Sequence, residues 1–178
     1  FWSPDTITNS ITSDIEIQVC LAMVDWTPAT NQMLISKRAT GVTAYQFVQQ
    51  NSGIPSFTWW TATVANTKNC TAAVPFLDGN IGWLKVTLKA NNGASGNDVK
   101  FFTSLDGITW TQLGTTVTTA GVTTIDDTTA VLEVGSYENG TQNNIVAKVY
   151  RAKVFNVIGA TVPIVDFNPN DNLVGGGS

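Results

Sequence analysis

The chain has 178 residues, of which 12% are charged, and it carries a formal net charge of −4 with no histidine. The absence of imidazole excludes serine and cysteine triads that use histidine as a base, and most catalytic zinc sites. The net negative charge, with nine basic residues dispersed along the sequence in no basic stripe, argues against nucleic acid as a partner. Apolar runs too short to cross roughly 30 Å of hydrocarbon argue against a membrane span.

The composition predicts an all-β protein. Threonine is the commonest residue, and together with valine, isoleucine and the aromatic residues it favours strands, because branched and flat side chains suit a pleated surface. The length fits one sandwich domain, which we assign to residues 1–170. Residues 171–178 end in Gly-Gly-Gly-Ser, a composition typical of a flexible linker or tail.

A period of two dominates the chain and predicts a long half-buried strand over residues 14–24. Ile15, Ile17, Val19, Leu21 and Met23 share one face, and Asp14, Glu16, Gln18 and Cys20 share the other. Further strands are predicted over 33–37, 43–50, 56–64, 82–89, 99–104, 108–113, 115–125, 130–135 and 146–156, with a polar loop over 66–73. Uneven spacing in the last strand predicts a bulge near Lys148 or Tyr150, with Val146, Val149, Ala152 and Val154 inward.

About eleven to thirteen strands without a helix indicate a two-sheet antiparallel jelly-roll sandwich. The alternation predicts one apolar core built from inward positions of several strands. Its expected members are Ile17, Val19, Leu21, Leu84, Val86, Leu88, Phe101, Trp110, Leu132, Val149 and Val154.

The segment 101–114 contains two strands and the turn between them. Asp106-Gly107 supplies the turn, and we expect the Asp106 side chain to cap it, with Trp110 packed beneath. The segment resembles the "tSxDGxTWtqlG" hairpin of concanavalin A-like (laminin G-like) sandwich domains, especially those in virion proteins of phages that infect actinobacteria. Three further segments resemble the same domains: SDIEIQVCLAMVDWTP at 13–28, PFLDGNIGWLKVTLKANNG at 75–93, and LEVGSYENG with VAKVYRAKVFN at 132–156.

The resemblance implies a concanavalin A-like fold and a non-catalytic virion module, commonly a minor tail protein. Its expected setting is the virion, assembled in the host cytoplasm and exposed outside the cell, with other virion proteins as partners in an oligomeric particle. Two functions stay open. One is adhesion to a host-surface glycan, and the other is a structural or decoration role that binds only virion proteins. The fold alone does not imply sugar binding, because sandwiches of this shape host many functions.

Trp59-Trp60 is the most lectin-like feature of the sequence. Neighbouring strand residues point to opposite faces, so one indole is expected in the core and the other on a surface or groove, where an indole can stack on a sugar ring. We predict a ligand site at Trp59 or Trp60 with Tyr45, Gln46 and Gln49 from the preceding strand. Structural burial of both indoles is the alternative.

Carboxylates offer two other kinds of chemistry. Asp126-Asp127 lies in a predicted loop and, with backbone carbonyls, is the candidate calcium site, since calcium takes six to eight oxygens. The sandwich glucanases use Glu-x-Asp-x-x-Glu on one strand to hold a nucleophile and an acid about 5.5 Å apart. The chain contains no such run, so we predict no glycosidase activity. Cys20 and Cys70 form either one disulfide or two buried thiols.

Overall fold

A computed structural model describes residues 1–169 as two antiparallel sheets of six strands each. The largest helical element among these residues is one 3-10 turn, Ile7–Asn9. The strands are β1 Trp2–Ser3, β2 Ile15–Met23, β3 Gln32–Ala39, β4 Val42–Gln49, β5 Pro55–Thr61, β6 Val64–Asn69, β7 Ile81–Lys89, β8 Gly96–Ser104, β9 Thr111–Ala120, β10 Leu132–Val134, β11 Ala147–Phe155 and β12 Val165–Phe167. The all-β, two-sheet prediction is confirmed, including the expected strand number.

Sheet A has the strand order β1-β10-β3-β4-β5-β6, and sheet B has the order β12-β11-β2-β7-β8-β9. Each sheet turns one face inward, and the two inner faces enclose a single apolar core. Ile17 opposes Val86 on β7 and Val154 on β11, and all three are essentially inaccessible to solvent. From sheet A, Tyr45, Phe47, Phe57 and Trp59 fill the same core. The opposite faces of the two sheets are called here the outer faces.

Nine of the eleven predicted core residues are buried as expected; Trp110 and Val149 are only half-buried. Trp110 misses the core because it follows the turn after β8 and meets Trp83 edge-on, at 6.2 Å between ring centroids. Val149 still packs against the core from β11, whereas Val146 precedes that strand and is exposed. The predicted bulge is confirmed, since the β11–β2 register shifts between Val149 and Arg151 and leaves Tyr150 as the extra residue.

Three further predictions need correction. Residues 66–69 of the expected polar loop belong to β6, because their backbone pairs with β5. The two short strands expected over 108–113 and 115–125 are one ten-residue strand, β9, which begins at Thr111. The strand β2 is covered on both faces rather than half-buried, since Glu16 and Gln18 on its outer side are also nearly inaccessible.

The turn after β8 follows the expected design. The Asp106 Oδ1 atom accepts the backbone N–H groups of Ile108 and Thr109, each at 2.8 Å, and the Ser104 hydroxyl. These hydrogen bonds lower the pKa of the Asp106 carboxyl to about 2. Gly107 has a positive φ of 72°, and a β-carbon there would lie 2.7 Å from the Trp83 ring. The turn therefore requires glycine for both conformation and space.

Among residues 1–169 there is no helix with the length and apolar character that crossing a bilayer requires. The predicted linker or tail at 171–178, and the end of the predicted domain at residue 170, lie outside the described residues.

Candidate functional site

The two adjacent indoles of β5 lie on opposite faces of sheet A. Trp59 is 1% exposed and stacks on Phe57 in the core, with its indole N–H donated to the Thr123 hydroxyl at 2.9 Å. Trp60 is partly exposed on the outer face. The expected division of the pair between core and surface is confirmed, and it leaves Trp60 as the indole available to a ligand.

Arg38 is the cation beside Trp60. Its guanidinium carbon lies 5.4 Å from the centre of the Trp60 ring and 4.4 Å from the centre of the Tyr137 ring, within the range of cation–π attraction. One guanidinium N–H group is donated to the Gln46 side-chain oxygen at 2.6 Å. Arg38 has no carboxylate within 4.0 Å among residues 1–169, so its other donors remain available to a ligand oxygen.

Tyr137 reaches this surface from the loop that follows β10. Glu133, almost completely buried on β10, accepts the Ser136 hydroxyl and the backbone N–H groups of Asn139 and Gly140 at 2.7–2.8 Å. A second carboxylate, that of Glu138, accepts the Thr40 backbone N–H at 2.7 Å. These bonds anchor the loop on the outer face of sheet A and hold the Tyr137 ring against Arg38.

We call Arg38, Gln46, Trp60 and Tyr137 together the Arg38 patch. All four side chains are partly exposed. A cleft of about 550 Å³ adjoins the patch, lined by Arg38 and Tyr137 with Thr40, Glu138 and Gln142 among others. Its size falls in the range of about 300–1,000 Å³ typical of small-molecule sites. The patch combines aromatic faces, a cation and an amide, and the cleft opens beside its Arg38 and Tyr137 side chains.

The structure separates the five predicted ligand-binding residues into two groups. Gln46 and Trp60 face outward, as a ligand site requires. Tyr45 and Trp59 oppose each other across β4 and β5 and are buried between the sheets, and Gln49 is buried as well. The Gln49 amide donates to the Trp26 carbonyl at 2.8 Å. Burial therefore removes Tyr45, Gln49 and Trp59 from the ligand surface, which corrects that part of the prediction.

Sequence reasoning missed Arg38 and Tyr137. Arg38 is the second of two adjacent basic residues near the end of β3, and Tyr137 lies far along the chain in the segment LEVGSYENG. Only the pairing of β10 with β3 brings the two side chains together. No local pattern in the sequence encodes that neighbourhood.

Asp126 of the predicted calcium site caps the turn between β5 and β6. Its two carboxylate oxygens accept the backbone N–H groups of Ala62 and Thr63, each at 2.8 Å. Ala62 and Thr63 have positive φ, and the hydrogen bonds to the Asp126 carboxylate stabilise this tight turn. Asp127 is exposed, and among residues 1–169 no three Asp, Glu, His or Cys side chains converge on a common point. A calcium ion here would need backbone carbonyls for most of its six to eight oxygens, and the calcium site stays a prediction.

The two cysteines are separate buried thiols. Cys20 lies on the outer side of β2, where burial raises the pKa of its thiol to about 11. Cys70 lies in the core and donates its S–H to the Leu113 carbonyl at 3.2 Å. Of the alternatives left open by the sequence, the free-thiol one is confirmed.

No protein-family model matches the chain, and no curated protein matches its sequence. Solved structures share its fold. A CBM40 domain of the Ruminococcus gnavus IT-sialidase, bound to α2,3-sialyllactose, aligns with a TM-score of 0.61 at 10% identity, covering 90% of this chain and 88% of that one. Domains LG4-5 of the mouse laminin α1 chain align with a TM-score of 0.55 at 15% identity, covering 86% and 38%.

A pentraxin of Limulus polyphemus aligns with a TM-score of 0.52 at 9% identity, covering 86% of this chain and 73% of that one. The similarity is one of fold, because all three identities are low. The chain has the jelly-roll sandwich of lectin-like domains, which confirms the concanavalin A-like fold expected from the sequence.

Proposed function

We propose that this chain is a non-catalytic glycan-binding module and that the Arg38 patch is its binding surface. The observation that carries the proposal is the half-exposed Trp60 indole beside a guanidinium that has no acidic partner in residues 1–169. An indole covers the apolar face of a sugar ring, while guanidinium and amide groups satisfy its oxygens. The Gln46 amide nitrogen and the Tyr137 hydroxyl add further polar contacts.

Two fold neighbours also support the proposal that the chain binds a glycan. One is a CBM40 domain bound to α2,3-sialyllactose. Another comes from botulinum neurotoxin type C, whose cell entry depends on interaction with two ganglioside molecules. It aligns with a TM-score of 0.54 at 14% identity. Sialylated glycans carry a carboxylate, and Arg38 is the planar, permanently charged group suited to one. We therefore propose that the patch prefers glycans with an acidic sugar.

The proposed setting is a phage virion, where the module recognises the host surface from the tail. This part of the proposal rests on the four sequence segments that resemble actinobacteriophage virion domains. In that setting the module is exposed outside the cell and neighbours other virion proteins. Electron microscopy of virions with antibody raised against this chain tests the location, and labelling of the capsid alone would contradict a tail position.

A structural module that binds only virion proteins is the second candidate. It is favoured by a row of exposed apolar side chains at one end of sheet B: Val24, Leu77, Ile81, Leu105, Ile108 and Val146. They lie at or just beyond the ends of β2, β7, β8 and β11, with Ile81 the first residue of β7. Exposed apolar patches of this kind are characteristic of protein interfaces.

A glycan array with the isolated chain tests the binding proposal. Trp60→Ala is expected to weaken binding of the best glycan by about 1–3 kcal/mol, by analogy with loss of a large buried apolar side chain. Trp2→Ala is the matched control, because Trp2 is also exposed on sheet A but sits on the edge strand β1, which three strands separate from β5. No binding to any glycan favours the structural alternative, whereas glycan binding that survives in Trp60→Ala contradicts the Arg38 patch as the binding surface.

A further inference from the structure

The fold gathers basic residues that are dispersed in the sequence. Six of the nine lysines and arginines project from the outer face of sheet B: Lys85, Lys89, Lys100, Lys148, Arg151 and Lys153. The register explains the clustering. Lys153 and Lys85 flank Gln18 from β11 and β7, so they lie about 10 Å apart, two strand spacings. The expectation that the chain has no basic stripe is corrected by this arrangement.

The carboxylates on this face already have partners. Asp14 pairs with Lys89, and Asp166 pairs with Arg151 through both of its oxygens. Glu16 accepts the Gln18 amide at 2.6 Å and the Gly159 backbone N–H at 3.0 Å. Asp98 accepts the Asn92 amide and the Thr118 hydroxyl, which hold the pKa of its carboxyl below the ordinary value.

Four lysines of the face are consequently unpaired. Lys85, Lys100, Lys148 and Lys153 have no carboxylate within 4.0 Å in the described part of the chain. Asp98 and Asp166 influence Lys100 and Lys153 only from a longer distance. The face therefore carries cations that are available to an external anion.

Lys85 is the most constrained of the four. Its ammonium nitrogen lies 4.6 Å from the centre of the Phe102 ring and 4.3 Å from the centre of the Trp110 ring. Burial lowers the pKa of Lys85, with the Glu16 charge opposing that effect. Within residues 1–169 its ammonium group has aromatic neighbours and no hydrogen-bonded acceptor, so an anion would provide the missing acceptor.

A cleft of about 450 Å³ opens beside Lys85. It is lined by Lys100, Thr87, Asn92 and Phe102, and by the fixed carboxylates of Glu16 and Asp98. The lysines offer donors to an anion, whereas the two carboxylates offer acceptors to hydroxyl groups. A ligand that is only a polyanion would be repelled by Glu16 and Asp98. A ligand with both carboxylates and free hydroxyls matches the cleft in both respects.

We propose that the outer face of sheet B is a second binding site, specific for an oligosaccharide that carries carboxylates on its sugar rings, with Lys85 and Lys100 as its anion contacts. The site is separate from the Arg38 patch, which lies on the outer face of the other sheet. Its existence does not depend on binding at that patch. Two opposed sugar-binding faces would allow one chain to engage two glycan strands at once.

Isothermal titration with oligogalacturonate tests this site, using the full chain in 50 and 500 mM salt. We expect binding that weakens at least tenfold at high salt, because screening acts on exposed charges. Lys85→Met keeps the apolar stem between the two rings and should weaken binding at least tenfold; Lys100→Met should also weaken it. Lys68→Met, on β6 of sheet A, is the matched control and should bind like the unmodified chain.

Any of the following results would overturn the proposal. The first is no binding of oligogalacturonate, or equal binding of a neutral galactan, which removes the requirement for carboxylates. The second is inorganic polyphosphate binding as tightly with the same dependence on Lys85, which makes the face a general polyanion site. The third is unchanged binding in both folded lysine variants. Loss of binding in Trp60→Ala but not in Lys85→Met would assign the acidic glycan to the Arg38 patch instead.

Discussion

Lys37 gives the sharpest test of the stability of the fold. It precedes Arg38 at a register shift between β3 and β4, and it points into the sandwich while Arg38 points out. Its side chain is 1% exposed, and its ammonium group donates to the Asp5 carboxylate and to the Thr128 carbonyl, each at 2.6 Å. Asp5 is thus the only carboxylate within salt-bridge distance of this buried cation in the described residues.

Asp5→Asn removes that charge and leaves the ammonium group buried. Loss of one partner of a buried ion pair costs about 3–5 kcal/mol. The Asp5 side chain is 29% exposed, so water reaches part of the vacated position, and we expect the lower end, about 3 kcal/mol. For a chain of this length that corresponds to a fall in Tm of roughly 6–12 °C.

Urea denaturation followed by tryptophan fluorescence measures the free energy of unfolding, with an unchanged slope against denaturant showing that the unfolded state is unaltered. Asp166→Asn is the matched control, since it breaks an exposed pair with Arg151 and should cost under about 1 kcal/mol. Lys37→Met, which removes the buried charge itself, should cost less than Asp5→Asn. An Asp5→Asn cost no larger than that of the control would refute the reasoning.

Three other predictions concern the turn at Asp106, the two cysteines and catalysis. The Asp106 carboxyl should titrate in NMR with a pKa of about 2. Because folding lowers this pKa, the carboxylate stabilises the folded state above pH 3.8, its ordinary value, and that stabilisation is lost as the pH falls toward 2. A titration midpoint near 3.8 would contradict the turn geometry. Cys20 and Cys70 should react with a thiol reagent at pH 8 only after unfolding, since both are buried and free; rapid labelling of the native chain would be the contrary result. Purified protein should release no reducing ends from β-glucans, and turnover abolished by Glu16→Gln would disprove this.

Strand positions were predictable because alternation is a local property. The inward series of β2, the turn at Asp106-Gly107 and the bulge at Tyr150 all follow from spacing within one or two strands. Errors arose where burial depends on a partner distant in the sequence. Gln49 lies on the inward face of β4 with Tyr45 and Phe47, where the distant Trp26 carbonyl accepts its amide. Trp110 lies on the outer side of sheet B, beside Trp83 and Lys85.

The candidate sites were less predictable than the fold. The division of Trp59 and Trp60 between two faces follows from strand geometry alone. The Arg38–Tyr137 contact depends on the order of strands in sheet A, and the clustering of lysines depends on the order in sheet B. Strand order is a long-range property that a single sequence does not display. Basic residues that are dispersed in the sequence were therefore expected to be dispersed on the surface as well.

The most direct test of the proposed function is an NMR titration of the ¹⁵N-labelled chain with the best glycan from the array. We expect shifts of the Trp60 indole N–H and the Arg38 side-chain N–H signals that saturate together, while the Trp2 and Trp59 indole signals stay in place. Saturable shifts confined to other indoles, with Trp60 and Arg38 unchanged, would contradict the claim that the Arg38 patch binds glycans.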